Sequence, residues 1–307
     1  MRSMWLEKPD TKLIWDCLPK NPYNTNGGCM FANPSGLGYS QEISQNQIDV
    51  DYFIKNIKSL NQTVNVEAYF NGDEHLTNFV NFIGDFTQPM TLYYCPDGSI
   101  EPYDQISRPY YKQVVISGFE KGEKNTAGWY VCKIEFTSQS DVWRKDYEYK
   151  ATVSEQQVGE PLFYPYEYPY NFGGTNTLVI NVDNAGRETG CVVKIKNNDS
   201  TAISNPEWFC EHIVIDKYGN QITEVQKGKF FVSLAENAEL YVDSNSTTQQ
   251  AKVINNNNEE NVAYAQEPSW DYINFVKLKH GTNRFVFYVN LSSVTITIDY
   301  AQLKEVI

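Results

Sequence analysis

Apolar residues alternate with polar ones along most of this 307-residue chain and take helical spacing in one place. Val64 and Val66 alternate with Asn65 and Glu67, and Ile48, Val50 and Tyr52 with Gln47, Asp49 and Asp51; period two predicts half-buried strands. Asn71-Gly72 then marks a turn. After it, Leu76, Phe79, Val80 and Ile83 recur at i, i+3, i+4 and i+7, which predicts a surface helix over 73–86. Asp73 suits its N-cap, Glu74 places favourable charge in the first turn, and Pro89 bars continuation. MTLYYC (90–95), YKQVVISGF (111–119) and GWYVCKIEF (128–136) read as strands, the last two as a hairpin, with Asp141-Val142-Trp143 closing the unit.

From residue 177 the pattern is almost wholly β. TLVINV, CVVKIK, HIVIDKYGNQI, FFVSL, AELYVDS, QAKVI, INFVKL, NRFVFYVN and SVTITIDY follow one another, with Asn255 to Glu260 as a polar loop. Turn signals recur every ~8–12 residues, the spacing of a β-sandwich. Between the halves lies PLFYPYEYPYNF (161–172), where Pro161, Pro165 and Pro169 fix φ and remove donors while Tyr166, Tyr168 and their neighbours supply rings. That reads as a stiff connector. The fold class is mainly β, with a first domain over 1–150, a Pro/Tyr-rich connector over 151–175 and a second domain over 176–307.

Net charge is −13. Nucleic-acid and anionic-membrane binding need a basic footprint, so neither is expected. The N-terminal sequence does not read as a signal peptide, and no stretch approaches the ~20 apolar residues of a membrane span. The six cysteines form no CxxC pair, so reduced, partly buried thiols and a cytosolic origin are expected.

Little chemistry is marked. His75, His212 and His280 are scattered, and no HExxH, GxSxG, Walker or dinucleotide-binding pattern occurs. No catalytic residue, cofactor or metal is therefore assigned. Glu207 beside Trp208 and Asp271 beside Trp270 read as loop carboxylates near an indole. Trp208, Trp270, Tyr166 and Tyr168 are the candidate sugar or partner contacts, because their rings can stack on a saccharide or fill an interface.

The order of features resembles the distal tail proteins (Dit, the baseplate hub) of siphophages infecting Gram-positive bacteria. LIWDC, PSGLGYS (34–40), the helix EHLTNFVNFIGDF, MTLYY and VVISGFEKGE…WYVCKIEFTSQSDVW carry the likeness in the first half. YPYEYPY, GCVVKIKNNDSTAISNPEWF, AELYVDS and FVKLKHGTNRFVFYV carry it in the second, the last with Leu278, Gly281 and Asn283 in an L-x-x-G-x-N turn. The resemblance implies an N-terminal β-sandwich carrying one helix and a C-terminal galectin-like sandwich of jelly-roll type. It implies a structural virion protein, not an enzyme, forming a hexameric ring at the tail tip. Such a ring joins the major tail tube protein to the tail-associated hub protein, holds receptor-binding or other baseplate proteins, and is assembled in the bacterial cytoplasm. A ring that passes DNA without holding it suits an acidic inner wall. The alternative is a carbohydrate-binding module of a phage adhesion device that recognises host cell-wall saccharide.

Overall fold

The computed structural model describes residues 3–16, 29–38, 40–48, 51–60, 62–96, 109–153, 176–215, 221–256, 258–289 and 293–307. The chain divides into two compact units, Met1–Lys145 with Leu303–Ile307, and Asp146–Gln302. The first contains β1 (Ser3–Glu7), β2 (Ile14–Asp16), β3 (Cys29–Ser35), β4 (Gln41–Ile48), β5 (Asp51–Ser59), β6 (Thr63–Asn71), α1 (Gly72–Ile83), β7 (Met90–Cys95), β8 (Tyr110–Glu120), β9 (Trp129–Ser138) and the start of β10 (Trp143–Val153).

All its pairings are antiparallel. β2, β1, β7 and β8 follow in order, and β8 passes on to β9, β6 and β3. β8 serves both groups: Tyr110 to Val114 pair with β7, and Val114 to Glu120 pair with β9 through a register shift at Ile116/Gly118. Period two decides what is buried. Val64, Val66, Ala68 and Phe70 of β6 point inward, as do Cys132, Ile134 and Phe136 of β9, and all seven alternate with more exposed neighbours. Leu76, Phe79 and Ile83 of α1 enter the same core, where Phe79 meets Trp15, Phe31, Phe70 and Phe119. The helix ends at Ile83, three residues before the predicted 86, because Gly84 at φ +66° donates its N–H to Val80 O and turns the chain. Its N-cap is Asn71, not Asp73, and the cap makes no side-chain bond.

Other expectations change too. Ile48 pairs with Asp51, so the alternation read as one strand over 47–52 holds the ends of two. Trp143 does not close the unit. It opens β10, and the division of the chain falls inside that strand, between Lys145 and Asp146. The Pro/Tyr-rich connector lies outside the described residues from 154 onward.

The second unit adds β11 (Asn176–Asn184), β12 (Thr189–Asn197), β13 (Ile203–Ser204), β14 (Glu207–Ile215), β15 (Gln221–Lys229), β16 (Ser233–Leu234), β17 (Glu239–Asp243), β18 (Gln250–Asn255), β19 (Asn258–Asn261), β20 (Lys277–Leu278), β21 (Gly281–Val289) and β22 (Val294–Lys304). One sheet runs β11-β21-β14-β15, and β19-β18-β17-β12-β22 form the facing layer. Consecutive β11 and β12 lie in different sheets, each beside a strand from the end of the unit, as a jelly roll requires. Inward residues of both layers make one core, among them Val193, Ile195, Leu240, Ile296 and Ile298 facing Trp208, Cys210, Phe285 and Phe287. Asn255 to Glu260 are not simply a loop: Asn255 pairs with Asn258, and β19 forms an exposed edge hairpin with β18.

Two buried features generate tests. Gly228 pairs with Trp208, and a Cβ there would sit 2.4 Å from the indole, which is fully buried between Phe230 and Phe287. Gly228→Ala should cost about 1–3 kcal/mol, as core overpacking does, read as a lower urea midpoint for this unit. Lys112 is 1% exposed, its ammonium bonded to Gln62 Oε1 and 5.1 Å from the Trp143 ring centre. Burial lowers its pKa from 10.5 to about 8, with Asp141 opposing the shift. The unfolded chain thus holds this proton more readily, so the penalty is full below about pH 8 and fades as pH rises towards 10.5. Compared with Lys112→Met, the native chain should gain up to about 1.4 kcal/mol of stability per pH unit across that window. Parallel stability–pH curves would contradict the buried charge.

Candidate assembly surfaces

β4 and β5 stand apart from every larger sheet. They pair only with each other among the described residues, and Leu60 N–H to Ser40 O closes the base of the ribbon at 3.0 Å. Residues 41–46 and 54–58 are exposed throughout. Yet three of them are isoleucines: Ile43, Ile54 and Ile57 are 48%, 58% and 51% exposed. Ile43 faces Ile57 directly across the pair. Ile54 is three residues from Ile57, a spacing that would normally send it to the opposite face. A bulge at Ser44/Gln45 places an extra residue on β5, so Ile54 faces Gln45 and joins the other two. The ribbon therefore presents an apolar stripe on one side. An isolated two-stranded hairpin is marginal in water, so this stripe is a surface prepared for burial.

The outward face of β3, β6, β9 and β8 is a second surface, of opposite character. Asn33 and Ser35, Asn65 and Glu67, Lys133 and Glu135, and Gly118 and Glu120 surround a depression of about 500 Å³. Three carboxylates meet one ammonium there. Glu67 accepts bonds from Asn33 Nδ2 (2.7 Å) and the Tyr69 hydroxyl (3.1 Å), and beside it the Tyr69 phenol is pushed above its ordinary pKa. Glu135 accepts from Ser117 Oγ at 3.0 Å. These donors are neutral, so they fix the carboxylates without cancelling their charge. Glu120 and Lys133 lie 3.6 Å apart, both well exposed, an arrangement worth little. Gly118 keeps the floor open, since a Cβ there would press on Glu135 Cβ at 3.2 Å.

The four aromatic candidates separate. Trp208 has no exposed surface, and its ring packs between Phe230 and Phe287, so it is a core anchor and has no face for a sugar. Trp270 is wholly exposed. Tyr166 and Tyr168 lie outside the described residues. Glu207 bonds the Tyr272 hydroxyl at 2.7 Å and pairs with Lys229 at 3.2 Å, which raises Tyr272 to about 12 and leaves Glu207 in a surface ion pair. His212 is buried inside β14 with Nδ1 3.3 Å from Thr282 O, and His280 Nδ1 lies 3.0 Å from Gly186 O. Among the described residues no group of three or more His, Cys, Asp or Glu could hold a metal ion. Cys95, Cys132, Cys191 and Cys210 are in no disulfide and are buried, deeper than the partly buried thiols expected; burial pushes Cys191 up to about 12.

The ribbon's role was not readable from its sequence. Ile43, Ile54 and Ile57 fit neither period alone, because the bulge that aligns them is visible only in the register.

No family model matches the chain, and no curated protein matches it. Solved structures do. The crystal structure of the Dit protein of phage SPP1, described as a paradigm of the hub adsorption apparatus in phages infecting Gram-positive bacteria, aligns with a TM-score of 0.56 at 14% identity, covering 99% of each chain. Chains from the phage P2 baseplate in its activated conformation, with Ca and with Sr, align over 97% of this chain and 98% of theirs at 13% identity, with TM-scores of 0.48 and 0.47. The alignment to the SPP1 protein runs through both units end to end. The chain therefore has the fold of the distal tail (Dit) hub proteins.

Proposed function

We propose that this chain is a structural protein of a phage tail tip, where copies of it assemble into a ring hub, hexameric as the family resemblance implies. The ring joins the tail tube to tail-associated and receptor-binding baseplate proteins and leaves a passage for DNA. The full-length likeness to the SPP1 hub protein is the observation that carries this reading. The physical complement is the ribbon. Ile43, Ile54 and Ile57 on one unit, with a different surface receiving them on the next copy, make a head-to-tail contact, and such contacts close into rings when the rotation allows.

The outward face of β3, β6, β9 and β8 is the part we assign to the passage wall. Its carboxylates Glu67, Glu120 and Glu135 outnumber the one ammonium, Lys133 beside Glu120, and the neutral donors to Glu67 and Glu135 leave their charge uncancelled, so the face repels phosphate. The carbohydrate-binding alternative loses one of its four contacts, because Trp208 is sealed in the core.

Two outcomes are expected. Ile43→Asp with Ile54→Asp and Ile57→Asp should leave the melting temperature of the isolated chain within experimental spread, since all three side chains are exposed, but should shift sedimentation from ring to monomer. A ring that survives all three charges would remove the ribbon from the interface. Glu67→Lys with Glu120→Lys and Glu135→Lys should leave the ring intact and make it retain duplex DNA in a salt-dependent manner. A triple variant that forms rings without gaining DNA retention would take that face out of the passage.

A further inference from the structure

Among the described residues Lys112 is the only buried lysine or arginine, and the group that receives its ammonium is not a carboxylate. It is the side-chain amide of Gln62, itself 4% exposed. A buried ammonium is normally met by an acid. Here Lys112 enters the core of the first unit between Tyr110 and Val114, the inward residues on either side of it in β8. An amine held against a carboxamide away from water is a nucleophile held against an acyl group.

Three contacts fix the amide. Gln62 O accepts from Ser138 N–H at 2.9 Å, Gln62 Nε2 donates to Glu305 O at 3.2 Å, and Gln62 Oε1 accepts from Lys112 Nζ. Lys112 stands in the middle of β8 and Gln62 at the foot of β6, so neither backbone is loose. The carbon an amine would attack, Cδ, is bonded to the oxygen that Lys112 touches. Two reactants already in contact have their loss of freedom behind them. The Trp143 indole, whose ring Lys112 faces, has a buried N–H without an acceptor, a donor at the border of the site. Burial also brings the Lys112 pKa down to about 8, against the pull of Asp141, so the neutral amine is within reach of ordinary buffers. Two further ammoniums stand one inward position away: Lys145 and Lys304 lie 5.1 and 5.5 Å from the Tyr110 ring centre.

We propose that Lys112 and Gln62 are a modification site at which the two side chains condense to an internal amide cross-link. The Lys112 ammonium first gives up one proton to become an amine. Nζ then attacks Gln62 Cδ, the Nζ–Cδ bond forms and the Cδ–Nε2 bond breaks. A second proton passes from Nζ to Nε2, which leaves as ammonia. No electrons are exchanged and no co-reactant enters. The product ties β8 to the foot of β6 across β9, which pairs with both. It joins residues 50 positions apart, and such a closure restricts the unfolded chain as a disulfide does. The site lies wholly in the first unit and does not depend on the tail-tip reading. The pH-dependent stability described for Lys112 is that of the unjoined chain, since the amide carries no charge.

Mass spectrometry of the purified full chain, incubated below and above about pH 8, tests the cross-link. Above that pH the chain should lose the mass of one ammonia with time and yield a branched peptide in which Gln62 is joined to Lys112. Succinimide formation at Asn71-Gly72 loses the same mass, so the branched peptide decides. Lys112→Arg keeps a positive charge without an amine nucleophile and should give no branched peptide, and neither should Gln62→Met. Asp141→Asn removes the charge that holds the ammonium and should move the onset to lower pH. A chain whose Lys112 and Gln62 stay unjoined after long incubation above that pH would overturn the proposal. So would a branched peptide at Lys112 that persists in Gln62→Met. An onset unmoved or raised by Asp141→Asn would overturn the neutral amine as the attacking group.

Discussion

A two-stranded antiparallel ribbon has a face to bury and no layer of its own to bury it against. In this chain β4 and β5 are such a ribbon, and the bulge on β5 collects Ile43, Ile54 and Ile57 on one side of it. Each unit satisfies its own interior, the first around Phe79 and the second around Trp208. The stripe belongs to neither core. The proposed association of copies would bury it.

The two surfaces of the first unit divide the work by chemistry. The ribbon is apolar and suited to lasting contact. The face of β3, β6, β9 and β8 is polar and acidic, its Glu67 and Glu135 held by neutral donors that position charge without quenching it. We propose that face as the passage wall because its three carboxylates outnumber the single ammonium of Lys133. In the second unit Trp270 stands wholly exposed on a loop pinned by Asn274. Among the described residues no group of three or more His, Cys, Asp or Glu could hold a metal ion; His212 and His280 face backbone carbonyls, and His75 lies in the helix with its Nδ1 buried and unbonded.

Much of the fold was legible because burial in a sheet writes itself as period two. Alternation marks 64–67 inside the longer β6 and 294–300 inside β22, and four apolar positions mark α1. The misses have physical causes. β10 is not legible as a strand because Arg144, Lys145, Asp146 and Glu148 mask the alternation of Tyr147, Tyr149 and Ala151, which do pack inward. The helix was drawn three residues too long because Gly84 ends it through a positive φ that no hydrophobic pattern records. Trp208 and Trp270 were indistinguishable as sequence: both stand beside an acidic residue. Trp208 lies inside β14 opposite Gly228 and is buried, whereas Trp270 stands on a loop and faces water.

The central claim is that the ribbon of each copy is buried against a neighbour in a closed ring around a passage. Electron cryo-microscopy of the intact tail tip tests it most directly. The account predicts a ring of copies of this chain, with Ile43, Ile54 and Ile57 of each covered by the adjacent copy. A ring in which those side chains stand free in solvent, or a tail tip that does not contain this chain in a ring at all, would contradict it.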